Sequence, residues 1–264
     1  MSVDYSLESS PMTISTTDSL TVNALTVDQR IIVPLDVPTA EAALRLIDSL
    51  PQVSFWKVGL ELFISAGPGM LQELKARDKR IFLDLKLHDI PNTMAGACAA
   101  ATRYGVDILT LHASAGQMGL AAALSAAQAE SAAQNLPLPL IVAVTLLTSI
   151  SAEALATELR VPLKPEAYVL QMAQMTQDVG LGGVVCSPQE VSQLRRFLPP
   201  DFALVCPGVR PTWASTNDQQ RTLTPAQALQ AGATYLVIGR PITASPDPAA
   251  AFQRICDECA TALN

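Results

Sequence analysis

Ile81-Phe82-Leu83-Asp84-Leu85-Lys86-Leu87 is an apolar run broken by two charges, and after His88-Asp89-Ile90-Pro91 it gives way to an Ala-rich stretch, Thr93–Tyr104. The run has the length of a strand and the stretch has the length of a helix. The same unit recurs along the chain. Further apolar runs lie at Ile31–Leu35, Phe55–Val58, Ile108–Leu111, Leu140–Leu146, Gly183–Val185, Ala203–Val205 and Tyr235–Ile238. Helical stretches between and after them are Thr39–Leu50, Pro68–Arg77, Leu120–Gln134, Pro165–Val179, Pro188–Phe197, Pro225–Ala231 and Pro246–Leu263. Strands joined by helices pair in parallel, because each helix returns the chain to the starting edge. Eight such units are the number that closes a (β/α)8 TIM barrel, and 264 residues, 49% of them apolar, are enough for one. An open doubly wound sheet is the alternative, but no G-x-G-x-x-G follows the first run. No composition break divides residues 30–264, so the fold class is α/β with a single barrel domain.

In a barrel of this kind chemistry belongs at the C-terminal ends of the strands. Side chains alternate faces along a strand, so Ile81, Leu83, Leu85 and Leu87 share the face that packs under helices. Asp84 and Lys86 then share the inward face. Two charges there cost several kcal/mol each unless they pair. Taken alone the pair reads as a buried salt bridge. Asp36 at the end of the first run, Lys57 in the second and Asp89 after the third extend it to an alternating Lys-Asp-Lys-Asp array. The eighth run ends in Gly239-Arg240-Pro241, a backbone N–H and a guanidinium suited to a phosphate. The loop after the seventh run carries Pro207-Gly208-Val209-Arg210 and a polar continuation to Arg221, the composition of a mobile lid.

The net charge is −7 and no basic run occurs, which gives no footing for nucleic acid. No apolar run approaches the ~20 residues of a membrane span. Residues 1–29 are rich in Ser and Thr, contain Asp4, Glu8, Asp18 and Asp28, and lack Lys and Arg. Neither a signal peptide nor a transit peptide has that character, so they read as a polar, mostly disordered extension. The five cysteines are odd in number and scattered, which fits reduced thiols in a cytoplasmic protein. Cys256-x-x-Cys259 has no second ligand pair and reads as two core thiols. With only His88 and His112, a His-rich metal site is excluded.

Asp84-Leu85-Lys86-Leu87-His88-Asp89-Ile90-Pro91-Asn92-Thr93 resembles the signature of orotidine 5′-phosphate decarboxylases. The likeness extends over roughly residues 30–262 and takes in Leu35-Asp36, Lys57-Val58-Gly59, Val144-Thr145-Leu146-Leu147-Thr148-Ser149, Pro207-Gly208-Val209-Arg210, Asp218-Gln219 and Gly239-Arg240. The N-terminal extension lies outside it. The resemblance implies decarboxylation of orotidine 5′-monophosphate to uridine 5′-monophosphate, the last step of de novo pyrimidine synthesis, without metal or organic cofactor. It also implies a homodimer with shared active sites. Lys86 would be the proton donor, Asp84 would sit by the scissile carboxylate, and Lys57 would bridge Asp84 and the ribose. Asp36 would accept from a ribose hydroxyl and Thr148 would touch the pyrimidine. Gln219, Gly239 and Arg240 would hold the phosphate, and Arg210 would belong to the closing loop. Asp89, with Ile90 and Thr93 beside it, would serve the neighbouring subunit's site. His88 reads as a hydrogen-bonding support and His112 as structural or interfacial.

Two other readings remain. Magnesium-dependent sugar-phosphate decarboxylases and aldolases of the same superfamily share a D-x-K-x-x-D core, but Lys57 stands where they tend to place an acidic ligand. A non-catalytic nucleotide-binding barrel would keep Gly239-Arg240 and lose the charged array.

Overall fold

The computed structural model describes residues 25–214 and 223–263. Eight parallel strands close a barrel in chain order: β1 (Ile31–Pro34), β2 (Phe55–Gly59), β3 (Arg80–Leu87), β4 (Ile108–His112), β5 (Leu140–Val144), β6 (Gly183–Val185), β7 (Ala203–Pro207) and β8 (Tyr235–Val237). The closing pair is β1 with β8, in register at Ile31–Leu236 and Ile32–Val237. All eight expected runs are strands, and the open sheet is ruled out by that closure.

Alternation along the strands builds two apolar layers. Outward residues such as Val33, Trp56, Val58, Leu83, Leu109, Ile141 and Leu204 pack against the helices. Inward residues Ile32, Phe55, Phe82, Ile108, Val142, Val205 and Val237 fill the barrel. At the floor, the Arg80 guanidinium lies 4.0 Å from the centre of the Phe55 ring, a cation–π contact that lets the charge sit among apolar side chains.

The helices follow from local chemistry. Helix α2 (Ala40–Ser49) starts where the Thr39 hydroxyl accepts the Ala42 N–H at 3.2 Å. Helix α5 (Pro91–Arg103) starts with Pro at its first position after the extended residue Ile90. Helix α6 (Gly116–Gln134) ends on left-handed Asn135. The Ala-rich faces of α5 and α6 lie close: a Cβ on Gly119 would stand 3.1 Å from the Met94 sulfur.

Several elements differ from expectation. Residues 1–24 lie outside the described residues, but the expected extension does not run to residue 29. Leu25 is buried with the floor of the barrel, and α1 (Val27–Arg30) leads directly into β1. The helix expected over Pro188–Phe197 is a 3-10 turn, Pro188–Glu190, and one turn of α-helix, Val191–Leu194. Two further helices were not read from the sequence, Leu60–Ala66 and Ala152–Thr157, and the helix expected to start at Arg240 is a single turn, Arg240–Thr243.

Strand β3 also departs from simple alternation. It pairs with β4 at Leu83–Leu109 and next at Leu87–Leu111, so four steps on one strand face two on the other. Two extra residues keep Leu87 on the same face as Leu83. The excess is taken up at Lys86, whose φ of 52° is left-handed. A bulge of this kind re-aims a side chain. For a lysine the conformation costs about 1 kcal/mol.

Candidate active site

The strand ends β1, β2, β3 and β5–β8 surround a cavity of about 360 Å³. Asp36, Lys57, Asp84 and Lys86 line one side, and Arg210, Gly239 and Arg240 line another. Between them Val144, Leu146, Leu147, Val185, Pro207 and Val237 form an apolar wall, with Thr148 beside it. The shape is that of a binding site with a few polar groups set in apolar walls.

The charged side is a chain of ion pairs. Lys57 Nζ donates to Asp36 Oδ1 at 2.9 Å and lies 3.5 Å from Asp84 Oδ2. Lys86 Nζ donates to Asp84 Oδ1 at 2.9 Å. Asp84 and Lys57 are both buried. Pairing on both sides offsets their desolvation. Gly59 makes the room, since a Cβ there would stand 3.0 Å from Lys57 Nζ. Gly239 has a similar constraint: its Cβ would meet Pro34 Cγ at 2.9 Å, where β8 passes β1.

Another side carries positive charge, from Arg210 and Arg240. Burial lowers the affinity of the Arg210 guanidinium for its proton, and nearby Arg240 adds to that effect. Two converging guanidiniums are a poor arrangement alone and a good one around a phosphate.

Of the expected site residues, eight line the cavity: Asp36, Lys57, Asp84, Lys86, Thr148, Arg210, Gly239 and Arg240. Asp89, Ile90 and Thr93 do not. All three are exposed on the rim, and the Asp89 carboxylate accepts the Ile90 N–H at 2.6 Å. Gln219 lies outside the described residues. His88 is exposed and faces His112, with ring centres 5.5 Å apart. Burial lowers the His112 pKa, as do His88 and Lys86, so its imidazole is neutral near pH 7.

This array can be set beside known proteins. The family model described as Orotidine 5'-phosphate decarboxylase / HUMPS family matches residues 29–255. The chain belongs to this family. A protein of Gloeothece citriformis named Orotidine 5'-phosphate decarboxylase is 58% identical over 234 residues, covering 89% of this chain and 99% of that protein. One of the same name from Nostoc sp. is also 58% identical, over 236 residues and with the same coverage. A crystal structure of Orotidine 5'-phosphate decarboxylase from Lactobacillus acidophilus superposes with a TM-score of 0.78 at 37% identity, covering 87% of this chain and 98% of that one. The family description joins two names, and both of these curated relatives carry the first.

The apolar wall was not read as such from the sequence. Val144 and Leu146 stood in a strand run, and with Leu147 in the family resemblance, with no binding role given to them. Their inward exposure at the mouth needed the barrel.

The five cysteines are buried and free. Burial pushes the thiols of Cys98, Cys256 and Cys259 up to about 12, which keeps them protonated and unreactive. Among the described residues no cluster of His, Cys, Asp and Glu could hold a metal ion, and no helix is long and apolar enough to cross a membrane.

Proposed function

We propose that the protein decarboxylates orotidine 5′-monophosphate to uridine 5′-monophosphate and carbon dioxide, completing de novo pyrimidine synthesis as a cytoplasmic enzyme. The observation that carries this reading is the unbroken chain Asp36–Lys57–Asp84–Lys86 in one cavity with Arg210 and Arg240. The nucleotide phosphate binds between the guanidiniums, with Gly239 and Gln219 completing its contacts. The pyrimidine lies along the apolar wall beside Thr148, and Asp36 and Lys57 address the ribose.

The bond from the ring carbon to the carboxylate breaks, carbon dioxide leaves, and the electron pair stays on the ring carbon. The Lys86 ammonium gives that carbon its proton and is reprotonated from solvent. A cation already in place lowers the energy of the developing carbanion, and it costs no reorganisation at the moment of reaction. Asp84 holds the Lys86 ammonium in place, and its own charge disfavours the substrate carboxylate more than the carbanion-like transition state. Phosphate binding is remote from the reacting bond and is expressed in the transition state through loop closure.

Lys57 fills the space between two carboxylates where a divalent cation would otherwise sit, so the reaction proceeds without metal. The protein acts as a homodimer in which Asp89, Ile90 and Thr93 serve the site of a second copy. Their exposure, and their absence from the lining of the chain's own cavity, support that placement.

The test is formation of uridine 5′-monophosphate by purified protein in EDTA. Turnover is expected to be undiminished, and its loss would favour the magnesium-dependent reading. Lys86→Ala is expected to lower kcat at least about a thousandfold while uridine 5′-monophosphate still binds. Near-normal turnover in that variant would exclude Lys86 as the donor.

A further inference from the structure

Thr110 lies on β4, fully buried and directed into the barrel between the outward residues Leu109 and Leu111. It sits where the β3–β4 ladder is broken. Its Oγ accepts the backbone N–H of Lys86 at 2.8 Å and donates to Asp84 Oδ1 at 3.1 Å. The directions are fixed, since an N–H can only donate and a carboxylate can only accept. The same Asp84 oxygen receives Lys86 Nζ at 2.9 Å. The result is a closed ring: Lys86 backbone to Thr110, Thr110 to Asp84, and Asp84 to the Lys86 ammonium.

We infer that Thr110 is a positioning residue for the decarboxylation, holding the strained Lys86 backbone and the Asp84 carboxylate in one fixed relation. The inference rests on the reaction proposed above. Three features support it. The left-handed Lys86 backbone has no β4 pairing partner across the bulge, and the Thr110 hydroxyl supplies one. Valine would suit a buried strand position equally well by shape and β-propensity, so the hydroxyl is what this place requires. Thr110 is not among the residues lining the cavity, so it can affect the reacting groups without contacting the nucleotide. A donor has to be held to within about half an ångström, and a bulge without its hydrogen bond does not hold it.

Thr110→Val keeps the shape and deletes the hydroxyl. Its kcat is expected to fall about 10- to 100-fold with KM within about threefold of wild type. Thr110→Ser restores the hydroxyl and is expected within about threefold of wild type in both constants. A kcat for Thr110→Val within threefold of wild type would overturn the inference. So would a serine variant as poor as the valine one, which would assign the effect to packing. Should the valine protein not fold, Thr110→Ala against Thr110→Ser makes the same comparison. Amide exchange at Lys86 gives a readout independent of turnover. It is expected to be at least about tenfold faster in Thr110→Val than in the wild-type and serine proteins. Equal exchange would overturn the inference. Failure of the wild-type protein to turn over orotidine 5′-monophosphate would instead count against the proposed reaction.

Discussion

Asp84 holds two ammonium groups at once, and the three side chains differ in how much water reaches them. Asp84 and Lys57 are each 11% exposed, whereas Lys86 is 30% exposed. Removing Asp84 leaves two like charges facing each other in a dry wall. Removing Lys86 leaves Asp84 still paired with Lys57. Asp84→Ala is therefore expected to cost about 3 kcal/mol of stability and Lys86→Ala about 1 kcal/mol or less. Urea unfolding of the two variants checks the order, and equal losses would mean that the pairs act independently. The backbone at Lys86 gives a second comparison. Lys86→Gly removes the same ion pair as Lys86→Ala but relaxes a φ of 52°. The glycine variant is expected to be the more stable of the two by about 1 kcal/mol, and the reverse order would show that the bulge reorganises once the side chain is gone. This strain was not legible in the sequence. Alternation placed Asp84 and Lys86 on the inward face, but left-handed backbone is signalled by glycine or asparagine, and here it falls on lysine. Thr110 was silent for a related reason: in Ile108-Leu109-Thr110-Leu111-His112 a threonine reads as an ordinary strand residue.

At the scale of elements, β6 and the short helix after it concentrate two tests. Gly183 opens β6, and a Cβ there would collide with the backbone carbonyl of Ala203 on β7. Backbone cannot step aside as a flexible side chain can. Gly183→Ala is expected to cost about 2 kcal/mol or more in urea unfolding, and a neutral effect would mean that β6 and β7 separate more easily than their pairing implies. Beyond β6, Glu190 caps the turn by accepting the Ser187 N–H at 2.8 Å. Burial raises its pKa from 4.5 to about 7, the Ser187 hydrogen bond partly offsets this, and Glu166 adds to it. A carboxyl raised in the folded state favours folding while it is neutral. That contribution is complete below about pH 4.5 and is lost as pH rises through 7. Glu190→Gln stays neutral and keeps an acceptor for Ser187. Its stability relative to wild type is expected to improve by about 2 kcal/mol between pH 5 and pH 8. Parallel urea midpoints at the two pH values would show that Glu190 ionises freely in the fold. These short elements were the least legible ones. The Pro188–Phe197 stretch carries helix-forming residues, but it forms a 3-10 turn and only one α-helical turn.

For the whole molecule, eight apolar runs separated by helical stretches were enough to indicate the barrel, and eight of the residues expected from the family signature line one cavity. What one chain cannot supply is the role of Asp89, Ile90 and Thr93, which are exposed and do not line its own cavity. Sequence pattern carries no sign of such an arrangement, because strand periodicity ends where the loop begins at His88. If these residues serve a second copy, the dimer has an arithmetic that a single chain does not. Consider one protomer carrying Lys86→Ala and another carrying Asp89→Ala. In a hybrid, one site combines both lesions and is dead. The other takes Lys86 from one chain and Asp89 from its neighbour, and is intact. Random pairing makes half of the dimers hybrids, each with one good site of two. Co-refolded equal mixtures are therefore expected to recover about one quarter of wild-type activity, although each parent alone is nearly inactive. If Asp89 acted within its own chain, no hybrid site would be intact, and the mixture would show only the mean of its parents. Dilution sharpens the distinction, since recovered activity should fall with protomer concentration as the hybrids dissociate.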